Sequence, residues 1–450
     1  PRAHETNGLL RSLDRLHKSI ARKSLPEEMR WLTRTRLCWQ RKEAGKPRPI
    51  KMGEFLRSSY AKRATRKHIA SIRQSLRKAH QWGIGVPGAC EAMSHWRVTV
   101  EQLAFDGTLP PLVAADLDLA NMFGNCEWDS IRSAINAEMR EIKAWTEWHH
   151  KEAAITVLPS GEEFENNRGA EQGDALGSLQ ACLVLANHRP EWSTSTETTP
   201  AACDQWYIDD CQVFTPPKDF DAWLKALDND LAKFGASRGT ITQENAKSTC
   251  RLLCLPERRA EFAGWDTPYV RETTKVLATE DTASALGAPI GVTAAISCTM
   301  RASVAKAAAA RHAIQSISHS PTALVLTRLC ADVAKVQYNL RLNGDRIDHA
   351  LVDEHDQSLR DSLACIIGGS IHDNAWLQAT LGVRAGGLGL RNACSLSLPA
   401  FLASRISARP HVREMAKHLE FCKSGARKLI MKAYDQLTDE ALAALVTWRQ

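Results

Sequence analysis

No stretch of this 450-residue chain is apolar for long enough to cross a bilayer: runs such as Ala181 to Ala186 fall far short of the ~20 residues a spanning helix needs. Any C-x-x-C pair is missing too. The thirteen cysteines are odd in number and scattered from Cys38 to Cys422, and the closest two, Cys250 and Cys254, have no histidine near them at zinc spacing. That pattern argues against a disulfide scaffold or a structural zinc site and for a reduced, intracellular set of thiols. No internal repeat is evident. A leading methionine is absent as well; the chain opens at Pro1, so it reads as a fragment or processed piece, and the lack of a targeting signal carries little weight. What remains is an ordinary globular composition, 44% hydrophobic and 24% charged, in a chain long enough for two or three subdomains.

Charge is unevenly placed. Residues 1–100 carry 23 Lys and Arg against 7 Asp and Glu, a balance of +16, while the remainder carries 35 against 44, a balance of −9. A basic N-terminal region ahead of an acidic centre suits a protein that holds a polyanion beside a carboxylate-bound cation. Solvated helix faces would give the same count, so charge alone does not decide.

Along the chain, the pattern from Leu9 to about Trp39 predicts basic helix. Gly45-Lys46-Pro47-Arg48-Pro49-Ile50 turns it into an extended segment, because each proline disfavours helix at the residue before it. A basic helix is expected from Phe55 to His80, then a glycine-rich loop at 83–88, a strand near 112–119 and helical periodicity over 128–151. Asp174 to Asn187 predicts an apolar helix with Asp174 as its N-cap. Residues 193–202, STSTETTPAA, read as a surface loop, and a further helix is expected near 219–234. Beyond about Ala285 the chain is alanine-rich and helical in pattern, with Leu329, Val333 and Val336 at helical spacing. The glycines at 386–389 have no clear strand before them and predict a turn between helices.

The chemistry concentrates in three places. Tyr207-Ile208-Asp209-Asp210 sets two adjacent carboxylates at a tight turn between strand-like segments, and adjacent carboxylates either face solvent or hold cations. Upstream, Ala114-Ala115-Asp116-Leu117-Asp118-Leu119 is an acidic strand; alternation puts Asp116 and Asp118 on one face and the leucines on the other, leaving both acids as candidate ligands. Between them lies a glycine turn, Arg168-Gly169-Ala170-Glu171-Gln172-Gly173-Asp174. Gln172, followed by the side-chain-free Gly173, can let backbone and amide approach a nucleotide. Lys46 and Arg48 on the extended segment are candidate phosphate donors, whereas Lys51 beside them reads as a solvated surface charge. Together these pieces describe nucleotidyl transfer with two divalent cations.

In these residues the chain resembles the reverse transcriptases of non-LTR (LINE-like) retrotransposons. GKPRPI looks like the fingers segment ending in R-P-I, and QWGIGVPGACEAM like the block joining fingers to palm. Asp118, four residues and then Phe123 fit motif A, and this register selects Asp118 over Asp116. RGAEQGDALGSL resembles motif B, with Ala175 and Ser178 where prolines are common. YIDD matches motif C. Residues 234–248, ending Asn245-Ala246-Lys247-Ser248, resemble motif D at a spacing about two residues long, and WLQATLGVRAGGLGLRNA resembles a block found after the thumb.

The resemblance implies an α+β right-hand polymerase: a basic helical segment over 1–29, fingers over 30–110, a palm with an antiparallel sheet and motifs A to D over 111–265, and a helical thumb and C-terminal region over 266–450. It implies Asp118, Asp209 and Asp210 as the metal set for two Mg²⁺, with Mn²⁺ as a substitute. Arg48 and Lys46 would hold the triphosphate, Gln172 and Gly173 would line the incoming nucleotide, and Phe123 would be the steric gate against a ribose 2′-OH. Tyr207 would pack near the primer end and Lys247 would protonate the pyrophosphate. Expected partners are an RNA template, a DNA primer or target and dNTPs, with no membrane, in the nucleus and cytoplasm of a host cell. Viral RNA-dependent RNA polymerases are the nearest rival, but they carry G-D-D at motif C and a second acid where Phe123 stands. Group II intron-type enzymes differ only in flanking domains. A decayed copy that binds nucleic acid without catalysis is the rival from another class.

Overall fold

The computed structural model describes every residue except 1, 23–24, 41–46, 189–200, 239–247, 279–280, 282, 292 and 450. In chain order the first half forms α1 (Arg2–Ala21), β1 (Thr35–Gln40), β2 (Arg48–Gly53), α2 (Phe55–Lys78), α3 (Ala89–Phe105), β3 (Leu112–Asp118), α4 (Met122–Asn125), α5 (Trp128–Glu138), α6 (Lys143–His149), β4 (Ala154–Val157), β5 (Glu163–Asn166) and α7 (Gly177–His188). The hairpin β6 (Cys203–Tyr207) and β7 (Asp210–Thr215) follows, then α8 (Phe220–Ala232), β8 (Thr249–Leu253), α9 (Pro268–Thr273) and the short strands β9 (Lys275–Val276), β10 (Ala283–Ala285) and β11 (Ala288–Ile290). The chain ends in helices: α10 (Thr293–Gln315), α11 (Ser320–Leu326), α12 (Gln337–Asn343), α13 (His349–Ile367), α14 (Asp373–Thr380), α15 (Ala393–Met415) and α16 (Ala426–Arg449). The class is α+β, as the sequence implied.

The chain divides into two compact units. The first holds residues 1–87, 115–248 and 264–275. It contains a sheet in the order β2-β1-β4-β5, with β1 antiparallel to β2, parallel to β4, and β4 antiparallel to β5. A second group of strands runs β6-β7-β3, counting β3 from Ala115 onward. α2 explains itself by periodicity: Tyr60, Ala61, Ile72 and Leu76 are buried on one face while Lys62, Arg66 and Lys67 stay exposed on the other.

The second unit holds 88–114, 249–263 and 276–450. Its core gathers Ile296, Met300 and Val304 of α10 with Val333, Val336, Leu340, Leu351 and Ala393. α3 belongs here: His95 lies 3.0 Å from Ser404 of α15, and Glu101 pairs with both Arg97 and Arg251. The glycines at 386–389 form the expected turn between α14 and α15, with Gly386 at φ +81° and Gly389 at φ +72°.

Several sequence expectations change. The helix expected to run to Trp39 stops at Ala21, and Thr35–Gln40 is strand β1; Pro26 interrupts the helical run, and Thr35 and Leu37 alternate into the core. The helix over 128–151 breaks at Met139, whose backbone is at φ −150°, ψ 63°. The hairpin β4–β5 was not anticipated. Leu329 is 60% exposed, whereas Val333 and Val336 are buried. The expected loop at 193–202 lies outside the described residues except for Ala201 and Ala202, which are buried. All thirteen cysteines are free.

Candidate active site

β3 delivers its acids as alternation dictates. Leu117 and Leu119 are each 2% exposed, while Asp116 and Asp118 are half-buried on the opposite face. The Asp118 backbone N–H donates to Ser248 Oγ at 3.2 Å. The chain then turns through Asn121 (φ +45°), a conformation asparagine tolerates, and begins α4 with Phe123 half-buried.

The two turns carrying motifs A and B are bonded to each other. Gly169 N–H donates to the Cys126 carbonyl and Ala170 N–H to the Phe123 carbonyl, both at 2.7 Å, and the Trp128 indole donates to the Gly169 carbonyl at 3.1 Å. Gly169 sits at φ +91°, and a Cβ there would lie 2.9 Å from the Phe123 carbonyl oxygen. Only glycine fits so close an approach.

Glu171 and Asp174 bracket Gln172 and Gly173, and both reach the guanidinium of Arg57 on α2, Asp174 at 2.6 Å. All three side chains are almost wholly buried, with 3–5% exposed. Burial pushes the Glu171 carboxyl above its usual range, against the opposing charge of Arg57. Asp174 also accepts from Leu176 N–H at 2.7 Å; α7 begins only at Gly177, so Asp174 closes the turn before the helix instead of capping it as expected.

β2 docks on this turn. Lys51 N–H donates to the Gln172 carbonyl at 2.7 Å, and Gly173 (φ +111°) faces β2 so closely that a Cβ would lie 2.5 Å from the Lys51 carbonyl oxygen. The contact fills the space beside Gly173 with protein backbone. Lys51 is half-buried, with its ammonium pushed below the usual lysine range by burial and by nearby Arg57, so it is not the solvated surface charge its sequence context suggested. Arg48 opens β2 and is exposed. Lys46 and Lys247 lie outside the described residues.

Motif C is an antiparallel hairpin in which Tyr207 pairs with Asp210 and Trp206 with Cys211. Ile208 and Asp209 are the two turn residues, and Ile208 is at φ +60°. Positive φ at the first central residue alone is the pattern of a type II′ turn, where glycine is the usual occupant. A β-branched residue there is strained by roughly 1–2 kcal/mol. The Gln81 side chain holds it: Ile208 N–H donates to Gln81 Oε1 at 2.8 Å and Gln81 Nε2 donates to the Ile208 carbonyl at 3.0 Å. Tyr207, Asp209 and Asp210 are half-buried. On α7, burial raises the Cys182 thiol and the negative charge of Asp209 adds to it, with Cys126 third; the turn, the helix and the loop after β3 are therefore electrostatic neighbours.

Sequence reading missed Gln81, which stands two residues before the glycine-rich loop, and Arg57, hidden among the surface cations of α2.

Among the described residues no group of three or more His, Cys, Asp or Glu is gathered for one ion. Mg²⁺ in nucleotidyl transfer takes one or two carboxylates and completes its shell with substrate phosphates and water. Half-buried, oxygen-only donors at Asp118, Asp209 and Asp210 fit that demand. Among the described residues no helix is long and apolar enough to cross a membrane.

No protein-family model and no curated protein matches this chain. Among solved structures it is similar to apo telomerase from Candida tropicalis, at 13% identity and TM-score 0.43 over 91% of this chain and 70% of that one. Telomerase from Candida albicans in complex with a fragment of telomeric RNA matches at 10% identity and TM-score 0.44, over 94% and 64%. A C-terminally truncated Candida tropicalis telomerase matches at 14% and 0.34, over 49% of this chain and 50% of that one. This chain thus spans between half and 70% of those chains. At such identities and scores the likeness fixes neither activity nor substrate.

Proposed function

We propose that this chain is an RNA-directed DNA polymerase, the reverse transcriptase of a non-LTR retrotransposon, which adds deoxynucleotides to a primer 3′-OH. The observation that carries the reading is the Ile208–Asp209 turn, which sets two consecutive carboxylates in the β6-β7-β3 group of strands, with β3 ending at Asp118. Asp118 and Asp209 would hold two Mg²⁺ or Mn²⁺ ions, with Asp210 as a third ligand, and the ions when bound neutralise charge on the attacking and leaving oxygens.

The chain's own residues do the rest by positioning. Arg48 and Lys46 grip the triphosphate. Gln172 lines the nucleotide, its carbonyl tied to β2 by Lys51. Phe123, fixed by its carbonyl to Ala170, occupies the space that a ribose 2′-OH needs. Tyr207 backs the primer end, and Lys247 delivers the proton that the pyrophosphate takes up. A groove of about 630 Å³ between α1 and α2, with Lys62, Arg66, Lys67 and Phe55 in its wall, supports a path for the template strand: cations for phosphates and an exposed ring for a base.

The test compares Asp209→Ala with the wild type for extension and for binding of a template–primer duplex. Loss of extension with binding kept within about twofold supports the reading, since a removed metal ligand acts on the transition state and not on the phosphate contacts that give affinity. Equal loss of both would mark Asp209 as structural.

A further inference from the structure

A single side chain satisfies both backbone groups of the residue that aims the catalytic turn. Gln81 is 2% exposed. Its Oε1 accepts from Ile208 N–H at 2.8 Å and from Gly83 N–H at 3.1 Å, and its Nε2 donates to the Ile208 carbonyl at 3.0 Å. Only a side-chain amide offers an acceptor and a donor at this reach. In a buried site these bonds meet little competition from water.

The segment that carries Gln81 is itself anchored to the strand leading into the turn. Trp82 N–H donates to the Trp206 carbonyl at 2.8 Å, and Trp206 N–H to the His80 carbonyl at 2.9 Å. The Trp82 indole donates to Gln205 Oε1 at 2.7 Å, and His80 Nδ1 lies 2.9 Å from the Asp204 carbonyl. His80, at φ +56°, is itself left-handed. Gly83 then leaves room: a Cβ there would stand 2.5 Å from Ile208 Cγ1 and 2.7 Å from its nitrogen. Strain at one β-branched residue, an amide across it and a glycine beside it form one device.

We propose that Gln81 is a positioning residue, which holds Ile208 in its left-handed conformation and thereby fixes the direction of Asp209. The inference rests on the polymerase reading, because the value of a fixed Asp209 lies in the chemistry assigned to it. Gln81 acts through the turn and touches no substrate. A glycine at 208 would adopt the same conformation without strain, so the need for Gln81 is tied to isoleucine at this position.

The experiment measures single-turnover extension, duplex binding, melting temperature and amide hydrogen exchange of the 207–211 segment. It compares the wild type, Gln81→Ala, Gln81→Glu and Gln81→Ala with Ile208→Gly. The expected result is a fall in kcat of about a hundredfold in Gln81→Ala, the scale of an ångström-size misplacement, with duplex affinity and nucleotide KM nearly unchanged. Exchange at Ile208 quickens. Gln81→Glu, which keeps the acceptor and loses the donor, falls between, and Ile208→Gly restores part of the lost rate. Wild-type kcat in Gln81→Ala, or a loss that Ile208→Gly does not relieve and that tracks melting temperature and binding, overturns the proposal. A wild-type protein that extends no primer overturns the polymerase reading instead, and exchange at Ile208 then decides alone: unchanged exchange in Gln81→Ala overturns the clamp.

Discussion

Arg57 and Asp174 meet at 2.6 Å in a pocket where neither side chain is more than 5% exposed, and Glu171 takes the other side of the same guanidinium. The pair joins α2 to the turn that carries Gln172, so a helix that looks like a basic surface element holds that turn from within.

Removing that cation leaves two carboxylates buried without a partner. Arg57→Met is expected to destabilise the protein by about 3–5 kcal/mol, the cost of breaking one side of a buried ion pair. Thermal unfolding followed by circular dichroism checks it. Adding Glu171→Gln and Asp174→Asn to Arg57→Met is expected to recover part of the loss.

The outline of the fold was legible because the driving patterns are local. Alternation of Asp116, Leu117, Asp118 and Leu119 gave the strand and its faces, and the basic run after the proline turn gave α2, whose buried stripe only the structure shows. β1 was not legible: Thr35–Gln40 carries arginine and glutamine on its exposed face, which reads as basic helix until β2 and β4 pair with it. The site divides in the same way. Asp118 and Phe123 were singled out by the resemblance to motif A, Asp209 by its place at a tight turn between strand-like segments, and Asp174 by its position before an apolar run. Gln81 and Arg57 depend on contacts between segments far apart in sequence, so no local pattern announces them. Gly173 was read as room for a nucleotide; its Cβ side faces Lys51, and the residue itself stays exposed.

Acid should loosen the first unit through its histidines. His150 stacks on Trp128 with ring centroids 4.4 Å apart, and burial, aided by the charges of Arg132 and Arg57, pushes its imidazole down to about 3 from an ordinary value of 6.5. A depressed base keeps its contribution to stability above the unfolded value and loses it as pH falls. The loss therefore begins near pH 6.5 and continues toward 3, at about 1.4 kcal/mol per pH unit for each such group. His149, buried beside it, shifts the same way. The melting temperature is expected to fall between pH 7.5 and 5.5, and to fall less in His150→Phe; differential scanning fluorimetry at the two pH values measures both.

The groove between α1 and α2 gives a prediction that depends on salt. Lys62, Arg66 and Lys67 are exposed along it, and each phosphate contact to a single strand contributes about −0.7 to the slope of log affinity against log salt. Replacing all three by alanine is expected to flatten that slope by about 2 without changing preference among template sequences. Fluorescence anisotropy with labelled RNA over a range of salt concentrations reads it directly. An unchanged slope places the template elsewhere.

The most direct test of the central claim is primer extension on an RNA template with Mg²⁺, comparing dNTPs with rNTPs for the wild type and Phe123→Ala. The account predicts extension by the wild type with dNTPs only. Phe123→Ala should then admit rNTPs with a gain of about 10–100-fold relative to dNTPs, the range that a change in one apolar pocket wall commands. Wild-type extension with rNTPs would contradict the assignment of Phe123 and favour an RNA polymerase. No extension with either, despite tight duplex binding, would contradict the claim of catalysis altogether.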